Sequence, residues 1–527
     1  MAHRSLLARS CAAVVMTLAL VGCESMPTSK VKEVLTLQTT PKSLDLPPAP
    51  LNATEWADGD QEHLQNRAKG FGLVHMPKME AFLNGLLQKI RQEAGVPNWP
   101  GKVYILANSG LDAYTQRSGN IYISLGYLQA AETEDELFAL IAHEFSHSYL
   151  EYDALRSSLL KTDKAADIGA VLSFVGHGGD IKNATTSGSK AIETAVGVML
   201  AYQLGRNVLA PAWSRSQEYA ADDMAVQLSI RMGYSVEDGL VRILERQAAA
   251  EKEQDEMTQK QRDVLRKQFE QVRSQLGAQI TSKEKVTGGQ LAYGVVHGFM
   301  GELSFLGEDI VGSLTSVHPD VKKRMDRVKD LNERLMAERE WPEPRSAAWM
   351  KLRKERSAQR IFDSYQNATK AQFALTTAAP DDARRFASMS RISETQGHAM
   401  PALVTWQTSD GRNSLKALEE NMNSPKHRAW RSYVIYAEKM MERGNTREAN
   451  RVLDQGFKHF SVAPTAWVEY ITMQAKFKNT KKAQELAKEC ADRFDGYGPA
   501  CARGANAGTA GPKGPVSFEW LEKLIVR

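Results

Sequence analysis

The chain has 527 residues, which is enough for about three or four domains of ordinary size. Hydrophobic residues make up 42% of the sequence and charged residues 25%, as in an ordinary globular protein that buries a core. The formal net charge is only +4, so charge gives no support to a nucleic-acid-binding protein. A functional prediction therefore depends on local motifs.

The N-terminus has the pattern of a secretory signal. Arg4 and Arg9 precede an apolar run over residues 11–21, which ends in Leu-Val-Gly-Cys at Cys23. This arrangement predicts a signal peptide over residues 1–22 that ends in a lipobox. The alternative is a plain secretory signal or a chance cysteine.

A lipobox makes Cys23 the acylated N-terminus of the mature chain, and several acyl chains on one terminus give a stable membrane anchor. In bacterial lipoproteins of this class, Glu24 in place of aspartate after the cysteine indicates transfer to the outer membrane. Residues 23–52 are rich in Ser, Thr, Lys and Pro and are interpreted as a tether. We therefore expect a lipid-anchored protein that faces the periplasm.

The predicted first folded domain covers residues 53–340 and begins with a helix and a small sheet. Apolar residues at helical spacing predict the helix: Met79, Phe82, Leu83, Leu86, Leu87 and Ile90. Residues 103–107 and 120–125 alternate like strands. A mostly helical α+β fold is expected, and a peptide could extend the sheet at its edge.

A metal-binding motif follows the predicted sheet. Thr133 and Glu136 form a capping-box pattern, so a helix is predicted to start there. His143 and His147 are four residues apart, roughly 40° around the helix axis, so both imidazoles can reach one ion. Glu144 lies beside them and can act as a general base toward an attacking water. The sequence H-E-x-x-H therefore predicts a catalytic zinc site, although an ordinary amphipathic helix can carry two histidines by chance.

A second predicted helix offers the third ligand that a catalytic zinc site requires. In Ser-Arg-Ser-Gln-Glu-Tyr-Ala-Ala-Asp, Glu218 and Asp222 share one helix face. Glu218 can bind zinc, and Asp222 can hydrogen-bond the far nitrogen of a ligand histidine. Taken alone, this segment would be interpreted as a surface helix with two solvated carboxylates.

Together, H-E-x-x-H and S-R-x-x-E-x-x-A-D resemble the motifs of the gluzincin metallopeptidases, a family that includes HtpX and the CAAX prenyl endopeptidases. Residues 108–128 resemble the family's strand-turn-strand, and residues 318–325 resemble its closing H-P-x-x-x-x-R segment. The resemblance covers roughly residues 60–335. Residues 116–119 depart from it, because Gln-Arg-Ser-Gly stands where members often have Pro-Gly-Gly. The resemblance implies a zinc peptidase fold with one Zn²⁺ per chain.

The role of His318 remains open among three alternatives. It could fill the fourth coordination position and keep the enzyme latent, contact the substrate, or cap a helix without a metal role. Tyr149 and Arg215 are further candidates, with His318, for stabilising the oxyanion.

Two further segments flank the end of the peptidase domain. Residues 245–285 are dense in charged side chains and predict a helical insertion, either a solvated arm or a partner-docking arm. Residues 341–527 predict an all-α domain like tetratricopeptide repeats (TPRs), because two segments repeat at about 34 residues. Cys490 and Cys501 lie in this domain and are expected to pair in an oxidising compartment.

These observations predict a zinc-dependent endopeptidase of the bacterial periplasm. The architecture resembles that of β-barrel assembly-enhancing proteases, which implies a role in the quality control or assembly of envelope proteins. Expected partners are unfolded or misassembled envelope polypeptides, the outer-membrane assembly machinery and the membrane, with no nucleic acid. The alternative is a scaffold or chaperone lipoprotein with a latent or structural zinc site.

Overall fold

The structure is a computed structural model that describes residues 43–50, 56–68, 72–150, 213–250, 252, 321–376, 379–409, 412–494 and 496–507. Cys23, His318 and most of the predicted charged insertion lie outside these residues. The described chain is mostly helical with a four-stranded mixed sheet, which confirms the predicted fold class. Among the described helices, none combines the length and the apolar character needed to cross a bilayer.

The elements fall into two parts. The first contains α1 (Gly59–Ala68), β1 (Leu73–Val74), α2 (Pro77–Glu93), β2 (Val103–Leu106), β3 (Ala113–Thr115), β4 (Ile121–Ser124), α3 (Leu125–Ala130), α4 (Glu134–Leu150), α5 (Arg215–Arg231) and α6 (Val321–Met336). The second contains α7 (Ala347–Arg353), α8 (Arg356–Thr376), α9 (Pro380–Ser390), α10 (Ala399–Thr408), α11 (Arg412–Met422), α12 (Trp430–Glu442), α13 (Thr446–Phe460), α14 (Pro464–Lys476), α15 (Thr480–Arg493) and α16 (Gly498–Ala505).

The sheet has the strand order β1-β2-β4-β3. β2 and β4 are parallel, whereas the outer strands β1 and β3 pair antiparallel with their neighbours. The two strands predicted from alternation therefore form the centre of the sheet, and β3 lies at its edge. The short β1 was not predicted, because two residues are too few to show an alternating pattern.

Helix α1 covers one face of the sheet and holds the turn between β3 and β4. The Glu62 carboxylate accepts hydrogen bonds from the backbone N–H of Ser118 at 3.2 Å and from its hydroxyl at 2.6 Å. The Asn66 side-chain amide donates to the side chain of Gln116 at 2.9 Å. Residues 116–119, where this sequence departs from the family pattern, are thus anchored by side chains of α1.

The zinc-motif helix α4 is buried along almost its whole length. Its start is capped as predicted at Thr133, whose hydroxyl accepts the N–H of Glu136 at 3.1 Å, while the Glu136 carboxylate accepts the N–H of Glu132 at 2.8 Å. Asp135 in the first turn accepts the backbone N–H groups of Ser235 and Arg345, at 2.7 and 2.6 Å. Chain segments from both sides of α6 are therefore fixed to the same helix end.

The hydrophobic core of the first part continues into the helices that follow it. Trp349 is fully buried, and its indole N–H donates to the carbonyl of Ala131 at 2.8 Å. Its ring lies 5.7 Å from that of Phe82 in α2. Buried residues of α8, including Phe362 and Tyr365, belong to the same core cluster. Helices α7 and α8 therefore pack directly on the predicted peptidase domain, and α9 and α10 pack on α8.

The last helices form hairpins with a constant offset. α12 and α14 start at residues 430 and 464, and α13 and α15 start at residues 446 and 480, so both offsets are 34 residues. The turn residues Gly444 and Lys478, also 34 apart, both adopt positive φ, at 76° and 64°. Cys490 of α15 and Cys501 of α16 form a disulfide. The tetratricopeptide assignment itself remains a prediction.

Part of the predicted tether packs against the first domain. The side-chain amide of Gln227 donates to the carbonyls of Ser43 and Asp45, at 2.9 and 3.0 Å. The hydroxyl of Tyr149, at the end of α4, donates to the carbonyl of Pro47 at 2.9 Å. Leu46 packs against the main core. Residues 43–50 are therefore a docked segment along α4 and α5.

Candidate metal centre

Helices α4 and α5 bring the three predicted ligands together. The Nε2 atoms of His143 and His147 lie 3.1 Å apart. One carboxylate oxygen of Glu218 lies 3.5 Å from the Nε2 of His143, and the other lies 3.4 Å from that of His147. All three side chains are at most 5% exposed. Among the described residues, this is the one cluster of histidine, cysteine and acidic side chains that could hold a metal ion.

The geometry and the donor set fit zinc. Ligands at about 2.0–2.1 Å from a tetrahedral zinc ion lie roughly 3.3–3.4 Å from one another, close to the separations seen here. Two imidazole nitrogens and one carboxylate form a known set of catalytic zinc ligands that leaves a fourth position for water or substrate. The three residues can therefore hold one Zn²⁺ with little rearrangement.

Asp222 and Arg324 lie behind the ligands. The Nδ1 of His143 lies 3.0 Å from a carboxylate oxygen of Asp222, and donation from this nitrogen directs the lone pair of Nε2 to the metal position. Arg324 on α6 donates two hydrogen bonds of 2.7 Å to Asp222, and a third guanidinium nitrogen lies 2.8 Å from Glu218. Arg324 is only 2% exposed, so one buried cation neutralises part of the charge of two buried carboxylates.

The same contacts set the protonation of these groups in the absence of metal. Burial acts to lower the pKa of His143, but hydrogen bonds to Asp222 and Glu218 outweigh it and raise that pKa to about 9. Burial acts to raise the pKa of Asp222, but Arg324 outweighs it and lowers that pKa to about 2. Asp222 is therefore ionised at neutral pH and acts as a hydrogen-bond acceptor for His143.

The residues match a known family. Residues 77–332 match the family model described as "Peptidase family M48". The chain carries an M48 peptidase domain. Members of this family are zinc metalloproteases, and the M48 domain here contains β2 to β4, both ligand helices and Arg324.

Two bacterial proteins are similar to part of this chain. A "Beta-barrel assembly-enhancing protease" from Yersinia pestis is 24% identical over 180 residues, which cover 34% of this chain and 35% of the relative. A protein of the same name from Escherichia coli (strain K12) is 21% identical over 162 residues, 31% of each chain. The chain thus matches about a third of the length of these relatives.

The structure describes two of the three residues predicted to stabilise the oxyanion. The hydroxyl of Tyr149 is engaged by the docked segment, through its hydrogen bond to Pro47, rather than directed at the ligands. Arg215 is exposed in the first turn of α5. His318 lies outside the described residues, so its three alternatives stay open. Glu144 is 1% exposed and follows His143 directly on α4.

Two residues beside the predicted metal ligands, Arg324 and Trp213, were not predicted from the sequence to take part in the site. Arg324 occupies the arginine position of the H-P-x-x-x-x-R segment, which was the available signal for its involvement. Trp213 immediately precedes the serine cap of α5, and its ring stacks on that of His147. An aromatic residue before a helix cap is common enough in proteins that it gave no specific signal.

Proposed function

We propose that this chain is a zinc-dependent endopeptidase of the bacterial periplasm, anchored as a lipoprotein through Cys23. The observation that carries the activity is the convergence of His143, His147 and Glu218 at separations suited to one zinc ion, beside Glu144. The names of the relatives and the lipobox support a role in the quality control or assembly of outer-membrane or envelope proteins.

The chemistry follows from the residues. A bound zinc ion supplies Lewis acidity, which polarises a peptide carbonyl and lowers the pKa of water. Glu144 takes the proton from the attacking water and passes it to the leaving amine. Asp222 holds His143 in the tautomer whose Nε2 faces the metal position. Arg324 contacts both Asp222 and Glu218 and holds the two carboxylates in place.

The position of the edge strand β3 favours a polypeptide as the substrate. β3 pairs with β4 on one side, and among the described strands it has no neighbour on the other. It packs against α4, which carries the metal ligands. An extended peptide that adds to β3 by backbone hydrogen bonds would lie beside these ligands without requiring particular side chains.

Casein cleavage by the wild type and by Glu144→Gln tests this function. We expect cleavage by the wild type and none by the variant, with similar zinc content in both, because Glu144 is not a ligand. His143→Ala and Glu218→Ala should each reduce bound zinc well below one per chain, since each removes one of three ligands. Full zinc content in either ligand variant would contradict the assigned site.

The same assay separates the peptidase from the alternative function. A scaffold or chaperone lipoprotein remains the second candidate because the helical hairpins 34 residues apart fit a binding domain. If the protein is such a scaffold, the wild type and the Glu144→Gln variant should bind unfolded envelope polypeptides equally well. Neither form would cleave them. Crosslinking in cells, followed by identification of the trapped partners, would define the substrates.

Two variants test the parts of the proposal that lie outside the described residues. Cys23→Ala should release the protein from membranes, and persistent sedimentation after a carbonate wash would contradict the anchor. His318→Ala should raise casein cleavage if His318 blocks the fourth coordination position. The same change should lower the rate roughly 10²-fold or more if His318 stabilises the oxyanion.

A further inference from the structure

The indole of Trp213 lies flat on the imidazole of His147. The two ring centroids are 4.3 Å apart, and the planes differ by only 2°. Trp213 is 6% exposed, and His147 is fully buried. Among the described residues, the indole N–H of Trp213 has no hydrogen-bond partner. A buried indole N–H usually has a hydrogen-bond partner. Since this one has none, the stacking of the indole on His147 is the interaction that the structure shows for Trp213.

The local sequence explains why the indole lies there. Ser214 caps α5 with a reciprocal capping box, in which Ser214 and Gln217 bond each other's backbone N–H groups. Trp213 therefore occupies the position before the cap, and Glu218 occupies the fourth helical position. Side chains at these two positions normally pack together at a helix start. Here the fourth helical residue is a metal ligand, and the preceding ring covers another ligand.

The stacking of Trp213 constrains His147, the predicted histidine ligand that Asp222 does not orient. Asp222 orients the ring of His143 through Nδ1 at 3.0 Å. On His147, a flat indole against the ring face resists rotation about the bond that joins the ring to the side chain. This orientation keeps the His147 Nε2 at 3.1 Å from that of His143 and 3.4 Å from Glu218.

We propose that Trp213 is a positioning residue for metal binding, which acts through the imidazole of His147. This inference rests on the proposed function, because it requires that His147 bind zinc. An imidazole that coordinates a cation is electron-poor, and the face of an indole is electron-rich, so the stack strengthens when the metal binds. Trp213 therefore contributes to zinc affinity as well as to packing.

Zinc affinity of the full-length protein, measured by competition with a chromophoric chelator, tests the proposal. Trp213→Leu removes the aromatic face and should weaken zinc binding about 2- to 12-fold, the range of an aromatic pair interaction. Trp213→Phe keeps a flat ring and should stay within about threefold of the wild type. Trp99→Leu is the matched control. Trp99 packs on Phe145 and Tyr149 of α4, the helix that carries His147, and it does not stack on a ligand.

The visible absorption spectrum of the Co²⁺-substituted protein gives a second readout, because it reports the geometry of the ligands. The spectrum should change in Trp213→Leu and stay unchanged in Trp213→Phe and Trp99→Leu. Equal zinc affinity and an unchanged spectrum in Trp213→Leu would overturn the inference, as would equal losses in the Trp99→Leu control. A wild-type protein that binds no zinc would instead refute the proposed function.

Discussion

Arg324 is the residue whose removal should most clearly reveal the electrostatics of the metal centre. Its guanidinium contacts Asp222 twice at 2.7 Å and Glu218 once at 2.8 Å, and all three side chains are at most 2% exposed. Arg324→Met keeps much of the volume but leaves two buried carboxylates without their cation. Breaking a buried ion pair in this way costs about 3–5 kcal/mol. We expect a loss of this size in the free energy of unfolding of the metal-free protein.

Zinc should reduce that loss, because the bound cation supplies positive charge beside Glu218. The assay is urea denaturation of the wild type and the variant, with excess chelator and with saturating zinc. Arg327→Met is the matched control: it lies one turn further along α6, pairs with Asp223, and is 21% exposed. We expect a smaller loss for the control, because the Arg327–Asp223 pair is partly exposed to solvent. A metal-free loss below about 1 kcal/mol for Arg324→Met would refute the reasoning.

Three further predictions concern the metal centre and the helical repeats. Asp222→Asn should weaken zinc binding about 10- to 100-fold by chelator competition, whereas Asp223→Asn should leave it nearly unchanged. Lys478→Gly should stabilise the protein by about 1 kcal/mol in urea denaturation, because Lys478 adopts positive φ, and Gly444→Ala should destabilise it by a similar amount. Burial raises the pKa of Glu469 to about 7 from an ordinary 4.5, so stability should fall as pH rises between these values. Glu469→Gln should remove that fall and stabilise the protein at alkaline pH by up to about 3 kcal/mol, and an unchanged pH profile of stability would contradict the prediction.

The sequence predicted the elements whose signals are local. The cap at Thr133 and the four-residue spacing of the histidines placed α4 correctly, and the alternating residues of β2 and β4 identified the central strands. The spacing of Glu218 and Asp222 likewise predicted one face of α5. These features depend on the period of one helix or strand and on a few neighbouring side chains, so one segment contains the information.

Features that depend on contacts between distant segments were not predicted. The domain boundary near residue 341 stays a prediction. That Trp349 and Phe362 join the core of the first part was not predicted, because an apolar helix pattern does not reveal which surface it covers. The partnership of Arg324 with Asp222 joins residues 102 positions apart, and no local period encodes it. The docking of residues 43–50 against α4 and α5 was also not predicted, because their proline-rich composition is typical of a linker.

The docked segment has a mechanical consequence for a lipid-anchored protein. If the anchor is Cys23, the linker between the anchor and the docked segment ends at Ser43, whose carbonyl accepts a hydrogen bond from Gln227. That linker has 43 − 23 = 20 residues, which span at most about 70 Å when fully extended. Because residues 43–50 lie along α4 and α5, the linker would attach beside the helices that carry the predicted metal ligands. The docked segment would then lie within about 70 Å of the membrane, and lengthening the linker should extend that range without altering the site.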